Sequence, residues 1–202
     1  MPSGRYLTAM DLTNGSSLWR INLHPHLYYS HKARVFYHIH KDVVAASSVT
    51  GWAVLAALKN GKEFWRKRLP GEICLRPAVS DKSVFFGTCD GYVWALDRLT
   101  GQVLWERKTP LRAVGFTCED NRLYVLSNGG DLYLLDARDG RKVWERRLGG
   151  KWRGGFLVLS GGTLYAFPES GRGGYPYGTV EHFAHALDSK TGESLWAVPI
   201  KD

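Results

Sequence analysis

Short hydrophobic runs separated by polar turns extend along the whole chain. Tyr92–Asp97 and Asp131–Asp136 are rich in aromatic and aliphatic residues and have the length of a β-strand. Each is followed by a turn and by a second run, Gln102–Lys108 or Arg141–Arg147. The pattern predicts a series of β-hairpins.

Two further strand-like runs precede each of these hairpins. They are Arg76–Ser80 and Ser83–Thr88 in one case, and Ala113–Cys118 and Arg122–Ser127 in the other. Four strands in about 40 residues are typical of one blade of a β-propeller. A helical period of 3.6 residues is absent, and the spacing is too long for leucine-rich repeats. We therefore predict an all-β fold of four-stranded antiparallel blades.

A repeated Gly-x-x-x-Trp pattern sets the register of these units. Successive tryptophans are 46, 40, 39 and 52 residues apart. Four of the five copies have an aspartate four residues before the glycine, and the second copy has Ala57 there. Such an aspartate can accept hydrogen bonds from the backbone N–H groups that follow it in a turn. The copies are Gly15–Trp19, Gly61–Trp65, Gly101–Trp105, Gly140–Trp144 and Gly192–Trp196.

Two copies carry a longer motif. Ala95-Leu96-Asp97-x-x-Thr100-Gly101-x-x-x-Trp105 recurs from Ala186 to Trp196, and it resembles the tryptophan-docking motif of PQQ-type (quinoprotein-like) propellers. The resemblance covers nearly the whole chain, residues 1–202, which we treat as one propeller domain. It implies that each motif tryptophan stacks between neighbouring blades. The predicted docking residues are Trp19, Trp65, Trp105, Trp144 and Trp196.

The phase of the repeat predicts four full blades and half of another. The chain opens at the third strand of a unit and closes after a fourth strand, which gives 18 strands. Open sheet edges favour closure. The ring is therefore incomplete and sealed by other residues, completed by a partner chain, or part of a larger array. We expect self-association or a protein partner.

Positive charge suggests one class of ligand. The 202 residues carry a formal net charge of +8, which permits an anionic partner. An arginine lies near the start of the predicted innermost strand of each full unit. Together these residues predict a positive rim at the central channel for carboxylates or phosphates; the alternative is solvated arginines paired with acidic residues. They are Arg34, Arg76, Arg112 and Arg153.

An insertion in the last unit is a second candidate contact. Ser170–Gly178 is rich in glycine, and Arg172, Tyr175 and Tyr177 offer it charge and amphipathic area. Loops of this kind often carry function, so we predict a partner-contact loop. The alternative is a disordered tip.

The predicted outer strands are also basic, as in Trp65-Arg66-Lys67-Arg68. Charges on an outer strand discourage edge-to-edge pairing of sheets. We favour this interpretation over nucleic-acid binding, because the charges would be spread around the circumference rather than along one path.

Histidine and cysteine give weaker signals. His38 and His40 would share one face of a strand, yet no further ligand follows at a fixed spacing, so we predict no metal site. The three cysteines are Cys74, Cys89 and Cys118. Their wide spacing predicts free buried thiols rather than a disulfide framework. With no signal peptide or membrane span visible, we expect a cytoplasmic protein.

Catalytic motifs are missing from the sequence. There is no Gly-x-Ser-x-Gly, no phosphate-binding loop and no His-Glu-x-x-His. The resemblance implies PQQ with a divalent ion only for the dehydrogenases of the family, which have adjacent cysteines and acidic and amide calcium ligands that cannot be assigned here. We predict a non-enzymatic binding or assembly module without a cofactor. The alternative is a fragment or subunit of a quinoprotein oxidoreductase.

Overall fold

The computed structural model describes residues 6–23, 34–149, 152, 154–168 and 182–200. These ranges contain 18 strands in antiparallel sheets and no helix, hence none that could cross a membrane. The predicted all-β fold of four-stranded blades with an additional half blade is confirmed. The chain divides into two compact units, Met1–Lys108 and Thr109–Asp202. The single propeller domain stays a prediction.

The first unit contains blades I to III. Blade I has two strands, β1 (Tyr6–Met10) and β2 (Ser17–Asn22). Blade II is β3 (Val35–His40), β4 (Val43–Ser48), β5 (Trp52–Ala57) and β6 (Glu63–Arg68). Blade III is β7 (Ala78–Val79), β8 (Ser83–Gly87), β9 (Tyr92–Asp97) and β10 (Val103–Lys108). The strands of each blade are hydrogen-bonded in chain order.

The second unit contains blades IV and V, also ordered along the chain. Blade IV is β11 (Ala113–Glu119), β12 (Arg122–Ser127), β13 (Asp131–Asp136) and β14 (Lys142–Arg147). Blade V is β15 (Gly155–Ser160), β16 (Thr163–Pro168), β17 (His182–Asp188) and β18 (Ser194–Ile200).

The last hairpin of every blade has a register shift beside its motif tryptophan. In blade II, Trp65 pairs with Leu55 and the shift falls between Leu55 and Ala56. In blade V, Trp196 pairs with Ala186 and the register shift falls between Ala186 and Leu187. A bulge re-aims the side chains next to it. The residue six positions before the motif glycine is thus the cross-strand neighbour of the indole.

Blade II buries both faces of its middle strands. Val43 and Ala45 of β4 lie in a core shared with blade III, while Val44 and Ala46 lie in a core shared with blade I. Successive side chains of a strand point to opposite faces, so one strand contributes to both cores. This explains why β4 is buried along its whole length.

Blades IV and V pack together in the same way. Tyr124 and Leu126 of blade IV share a core with Leu157 and Leu164 of blade V. At the inner strands, a Cβ on Gly115 would lie 2.7 Å from the carbonyl oxygen of Gly155. Glycine is therefore required where β11 and β15 approach each other.

The prediction of three free thiols is wrong. A disulfide joins Cys74 and Cys89, whose Cα atoms are 5.3 Å apart, a normal separation for such a bond. An isolated bridge between Ile73 and Thr88 brings the two positions side by side. Sequence spacing does not reveal this cross-strand neighbourhood. Cys118 remains a free thiol, and the cytoplasmic location, which rested partly on free thiols, stays a prediction.

Candidate binding surfaces

Three motif tryptophans dock on the following blade. The indole Nε1 of Trp19 donates to the carbonyl oxygen of Leu58 at 3.0 Å. Trp65 donates to Arg98 at 2.9 Å, and Trp144 donates to Lys190 at 2.9 Å. In each case the acceptor lies in the turn that precedes the next motif glycine. The indole ring thus satisfies its polar group while its body fills the space between blades.

The motif glycine forms the surface on which the indole rests. A Cβ on Gly61 would lie 2.8 Å from the ring of Trp19, and one on Gly101 would lie 2.7 Å from the ring of Trp65. Gly192 lies in the same way beneath the ring of Trp144. All three receiving glycines have positive φ, between 69° and 71°. The position therefore excludes a side chain for two reasons, backbone strain and the lack of space beneath the ring.

Aspartate side chains stabilise the receiving turns. Asp97 accepts hydrogen bonds from the backbone N–H and hydroxyl of Thr100 at 2.7 and 2.8 Å. Asp188 accepts a bond from the backbone N–H of Thr191 at 2.8 Å. These bonds favour the charged carboxylate and lower the pKa of both aspartates. The predicted capping role is confirmed at both positions.

The turn of blade I has the same geometry but receives no ring in the structure. Asp11 accepts bonds from the backbone N–H and hydroxyl of Thr13 at 2.8 and 2.6 Å. The N–H of Gly15 donates to the carbonyl of Asp11 at 2.8 Å, and its φ is 72°. Among the residues that the structure describes, none has a heavy atom within 4 Å of the place where a Gly15 Cβ would be. We call residues 11–15 the open turn.

The two remaining motif tryptophans differ from each other. Trp105 is 9% exposed and contacts Phe85 of its own unit, with ring centroids 6.0 Å apart. Trp196 is 42% exposed, and its described ring contact is Tyr165 of its own blade, at 6.0 Å. Trp196 therefore does not show the docked arrangement found for Trp65.

One face of blade V, which carries Trp196, is apolar and exposed. Its members follow from the pairing of the four strands and the alternation of side chains. Six large side chains on it are between 36% and 48% exposed. The corresponding face of blade II, which covers blade III, has Leu55 at 1% and Trp65 at 9% exposure. We call the exposed apolar face of blade V the open face. Its large exposed residues are Phe156, Val158, Phe167, Trp196, Val198 and Ile200.

Two of the predicted rim arginines occupy the same register in their blades. The carbonyl of Arg34 accepts the N–H of Val49 at 3.2 Å, and that of Arg112 accepts the N–H of Asn128 at 2.8 Å. Each arginine thus lies one residue before the first strand of its blade, beside the residue that follows the second strand. Arg34 is exposed and Arg112 is partly exposed.

In blade III the same register position is occupied by Glu72, whose carbonyl accepts the N–H of Cys89 at 2.7 Å. Arg76 lies four positions further along the chain, close to a histidine. Burial lowers the pKa of His38, and the positive charges of His40 and Arg76 lower it further. The Nε2 of His40 lies 3.2 Å from the Oδ1 of Asp81. Lys41 also donates to Asp81, at 2.6 Å. These contacts link the first turns of blades II and III.

A groove lies at the other end of blade II. It has a volume of about 570 Å³ and is lined by Val49, Thr50 and the segment from Arg68 to Glu72. Arg34 contacts Val49 through its backbone, so the groove and this predicted rim arginine are neighbours. The groove has no local signature in the sequence, because its walls come from two turns that are distant in sequence.

The disulfide lies close to one wall of this groove. The Sγ of Cys89 lies 3.8 Å from a carboxylate oxygen of Glu72. Glu72, Cys74 and Cys89 form the one group of potential metal ligands among the described residues. A disulfide sulfur is not a thiolate and therefore does not bind zinc or similar ions. One carboxylate with two sulfurs also does not fit calcium, which prefers six to eight oxygen ligands.

Four predicted site residues lie outside the described residues. They are Arg153 of the rim and the loop residues Arg172, Tyr175 and Tyr177. The channel rim and the contact loop stay predictions.

Sequence comparison finds one family over most of the chain. The family described as outer membrane protein assembly factor BamB matches residues 3–116 and 112–201. The 1-butanol dehydrogenase (quinone) of Thauera butanivorans is 28% identical over 80% of this chain and 22% of its own length. BamB of Legionella pneumophila is 29% identical over 66% of this chain and 34% of its own length.

Solved structures support the fold. The crystal structure of BamB from Moraxella catarrhalis matches 93% of this chain and 57% of its own, with a TM-score of 0.70 and 19% identity. The computationally designed Ika8 protein matches 96% of this chain and 56% of its own, with a TM-score of 0.74 and 17% identity. The chain therefore spans about a quarter to a third of these two curated relatives and just over half of the structures. The predicted resemblance to PQQ-type propellers is confirmed.

Proposed function

Because the chain belongs to the family of the outer membrane protein assembly factor BamB, a family of PQQ-type repeat propellers, we propose that it is a protein-binding assembly module. In this proposal it needs no cofactor and recognises an acidic segment of its partner. Propellers host many functions, so the argument rests on the surface rather than on the fold.

The observation that carries the proposal is the recurrent arginine before an inner strand. Arg34 and Arg112 have the same backbone contact in two different units. A guanidinium presents a planar fork of donors that matches a carboxylate. In the first unit, Arg34 adjoins the groove with Leu69 and Pro70 in its wall. This combination suits an extended segment that carries both acidic and apolar side chains.

The second candidate function, a quinoprotein oxidoreductase subunit, is supported by the dehydrogenase relative. The described residues do not fit its cofactor. The disulfide joins Cys74 and Cys89, which lie beside the isolated bridge between Ile73 and Thr88 and are not neighbouring residues of the chain. The group formed with Glu72 is also rich in sulfur, whereas calcium binds oxygen.

A peptide-binding assay tests the proposal. The probes are two fluorescent ten-residue peptides with the same apolar residues, one with glutamates and one with lysines at the remaining positions. We expect the acidic peptide alone to bind, with an affinity that falls as salt rises. Arg34→Ala should raise the Kd of a site in the first unit, and Arg112→Ala that of a separate site in the second unit, each by about tenfold, the cost of one charge-assisted hydrogen bond.

Matched controls remove a charge at the opposite end of a blade. Lys59→Ala in the first unit and Arg141→Ala in the second change exposed residues in hairpin turns and should leave binding unchanged. Equal binding of both peptides, or equal losses in the controls, would contradict the proposal. PQQ with Ca²⁺ should produce no thermal shift; a saturable rise in Tm would instead favour the oxidoreductase subunit.

A further inference from the structure

The docking contact between blades has two halves, and the described residues include an exposed donor half and a receiving half that holds no described ring. The donor half is a motif tryptophan on an apolar face, and the receiving half is a turn that ends in a glycine of positive φ. Trp196 is an exposed donor. The open turn, residues 11–15, is a vacant receiver.

We propose that the chain associates head to tail with a second copy of itself, with Trp196 of one copy docked on the open turn of the next. The occupant of the open face is thus blade I of another copy. This interface is separate from the arginine surface of the proposed function and does not depend on it.

The fit of the open turn is the first argument. Receiving glycines 61, 101 and 192 have φ values of 69°, 69° and 71°, and Gly15 has 72°. The N–H of Gly61 donates to the carbonyl of Ala57 at 2.9 Å, and the N–H of Gly15 makes the equivalent bond to Asp11. A ring that fits against Gly61 should therefore fit against Gly15. Its Nε1 would find an acceptor among the carbonyls of residues 12–14, as Trp19 does at Leu58.

The exposed apolar area on both sides is the second argument. On the donor side, Val198 and Ile200 are 48% and 41% exposed beside Trp196. On the receiving side, Met10 and Leu12 of blade I are 57% and 100% exposed. Clusters of large exposed apolar side chains mark association surfaces on soluble domains. Blade I offers the outer two strands of a blade, which is the part that carries the receiving turn.

The two surfaces are different, so the association is heterologous. One copy uses blade V and the other uses blade I, and each copy keeps its second surface for a further contact. A symmetric interface would instead place Trp196 of both copies against each other. This difference makes the proposal testable by mixing variants.

Analytical ultracentrifugation over a range of chain concentrations is the test. We expect the wild-type chain to reach at least two chain masses. Trp196→Ser removes the donor ring, and Gly15→Ala places a Cβ where the ring must lie, as it would at Gly61. Each variant alone should sediment at one chain mass. An equimolar mixture should recover two chain masses, because Trp196 of the Gly15→Ala chain can dock on the intact turn of the Trp196→Ser chain.

Two further variants control for general effects. Phe64→Ser removes a 52% exposed aromatic residue from the outer strand of blade II, and it precedes Trp65 as Leu195 precedes Trp196. Gly162→Ala adds the same backbone strain at φ 80°, with no heavy atom within 4 Å. Both should associate like the wild type. A monomeric wild-type chain, or a mixture that stays at one chain mass, would overturn the proposal.

Discussion

The steric role of the receiving glycine can be measured within a single blade. Gly192 and Gly162 both belong to blade V, with φ values of 71° and 80°. A Cβ on Gly192 would lie 2.9 Å from the ring of Trp144, whereas a Cβ on Gly162 would have no heavy atom within 4 Å. Substitution by alanine therefore imposes backbone strain at both positions and a steric clash at only one.

The expected losses follow from these two contributions. A non-glycine residue in the left-handed region costs about 1–2 kcal/mol, so Gly162→Ala should lower the unfolding free energy by about that amount. Overpacking against an indole adds about 1–3 kcal/mol, so Gly192→Ala should lose about 2–5 kcal/mol. At about 2–4 °C per kcal/mol for a chain of this size, calorimetry should resolve the difference in Tm.

A double-mutant cycle separates strain from clash. In a Trp144→Leu background the ring is absent and the flexible side chain of Arg146, with its Cγ at 3.1 Å, is the remaining close neighbour. The cost of Gly192→Ala should therefore fall towards the strain seen at Gly162. The hydrogen bond from Trp144 to Lys190 should not affect this comparison, because it is absent from both the Trp144→Leu variant and the Trp144→Leu, Gly192→Ala double variant. Equal losses at Gly192 and Gly162 in the wild-type background would refute the docking argument. So would a Gly192→Ala loss that the Trp144→Leu change does not reduce.

Three other perturbations test features of the two units. Reduction of the Cys74–Cys89 disulfide opens a loop with a sequence separation of 15, and it should cost about 3 kcal/mol, measured as a lower Tm with dithiothreitol. Burial raises the pKa of the Cys118 thiol to about 12, so iodoacetamide at pH 8 should alkylate it about a thousandfold more slowly in the folded chain than in urea. Partial desolvation of this surface residue and the nearby positive charges of His40 and Arg76 lower the pKa of His38. The unfolded chain therefore binds the proton more readily, stability should fall as pH drops below about 6.5, and urea titrations of His38→Gln should show a weaker dependence.

The repeat predicts the strands well because its signal is local. Each strand run, turn glycine and motif tryptophan lies within one unit of about 40 residues. The exception is β7, predicted as Arg76–Ser80 and observed as Ala78–Val79. Pro77 has no N–H to donate, so the ladder is interrupted there. Pairing resumes only at the isolated bridge from Ile73.

Contacts between neighbouring strands and blades were harder to predict. The disulfide depends on which residues face each other across two strands, and the groove beside Arg34 depends on two turns distant in sequence. The Gly-x-x-x-Trp spacing is also the same at Trp65 and Trp196, although one ring is 9% exposed and the other 42%. A local pattern specifies that a ring is presented, but it does not specify what receives it.

The two proposed interfaces lie on different parts of a blade, so their tests are independent. Arg34 precedes an innermost strand, while Trp196 lies on an outermost strand and Gly15 in an outer hairpin. Arg34→Ala should lower the affinity for the acidic peptide without changing the sedimenting mass of the chain. Gly15→Ala should reduce the mass without changing peptide affinity. A variant that altered both readouts would mean that self-association builds the peptide site. In that case the partner would bind across two copies, and affinity would rise with the concentration of the chain itself.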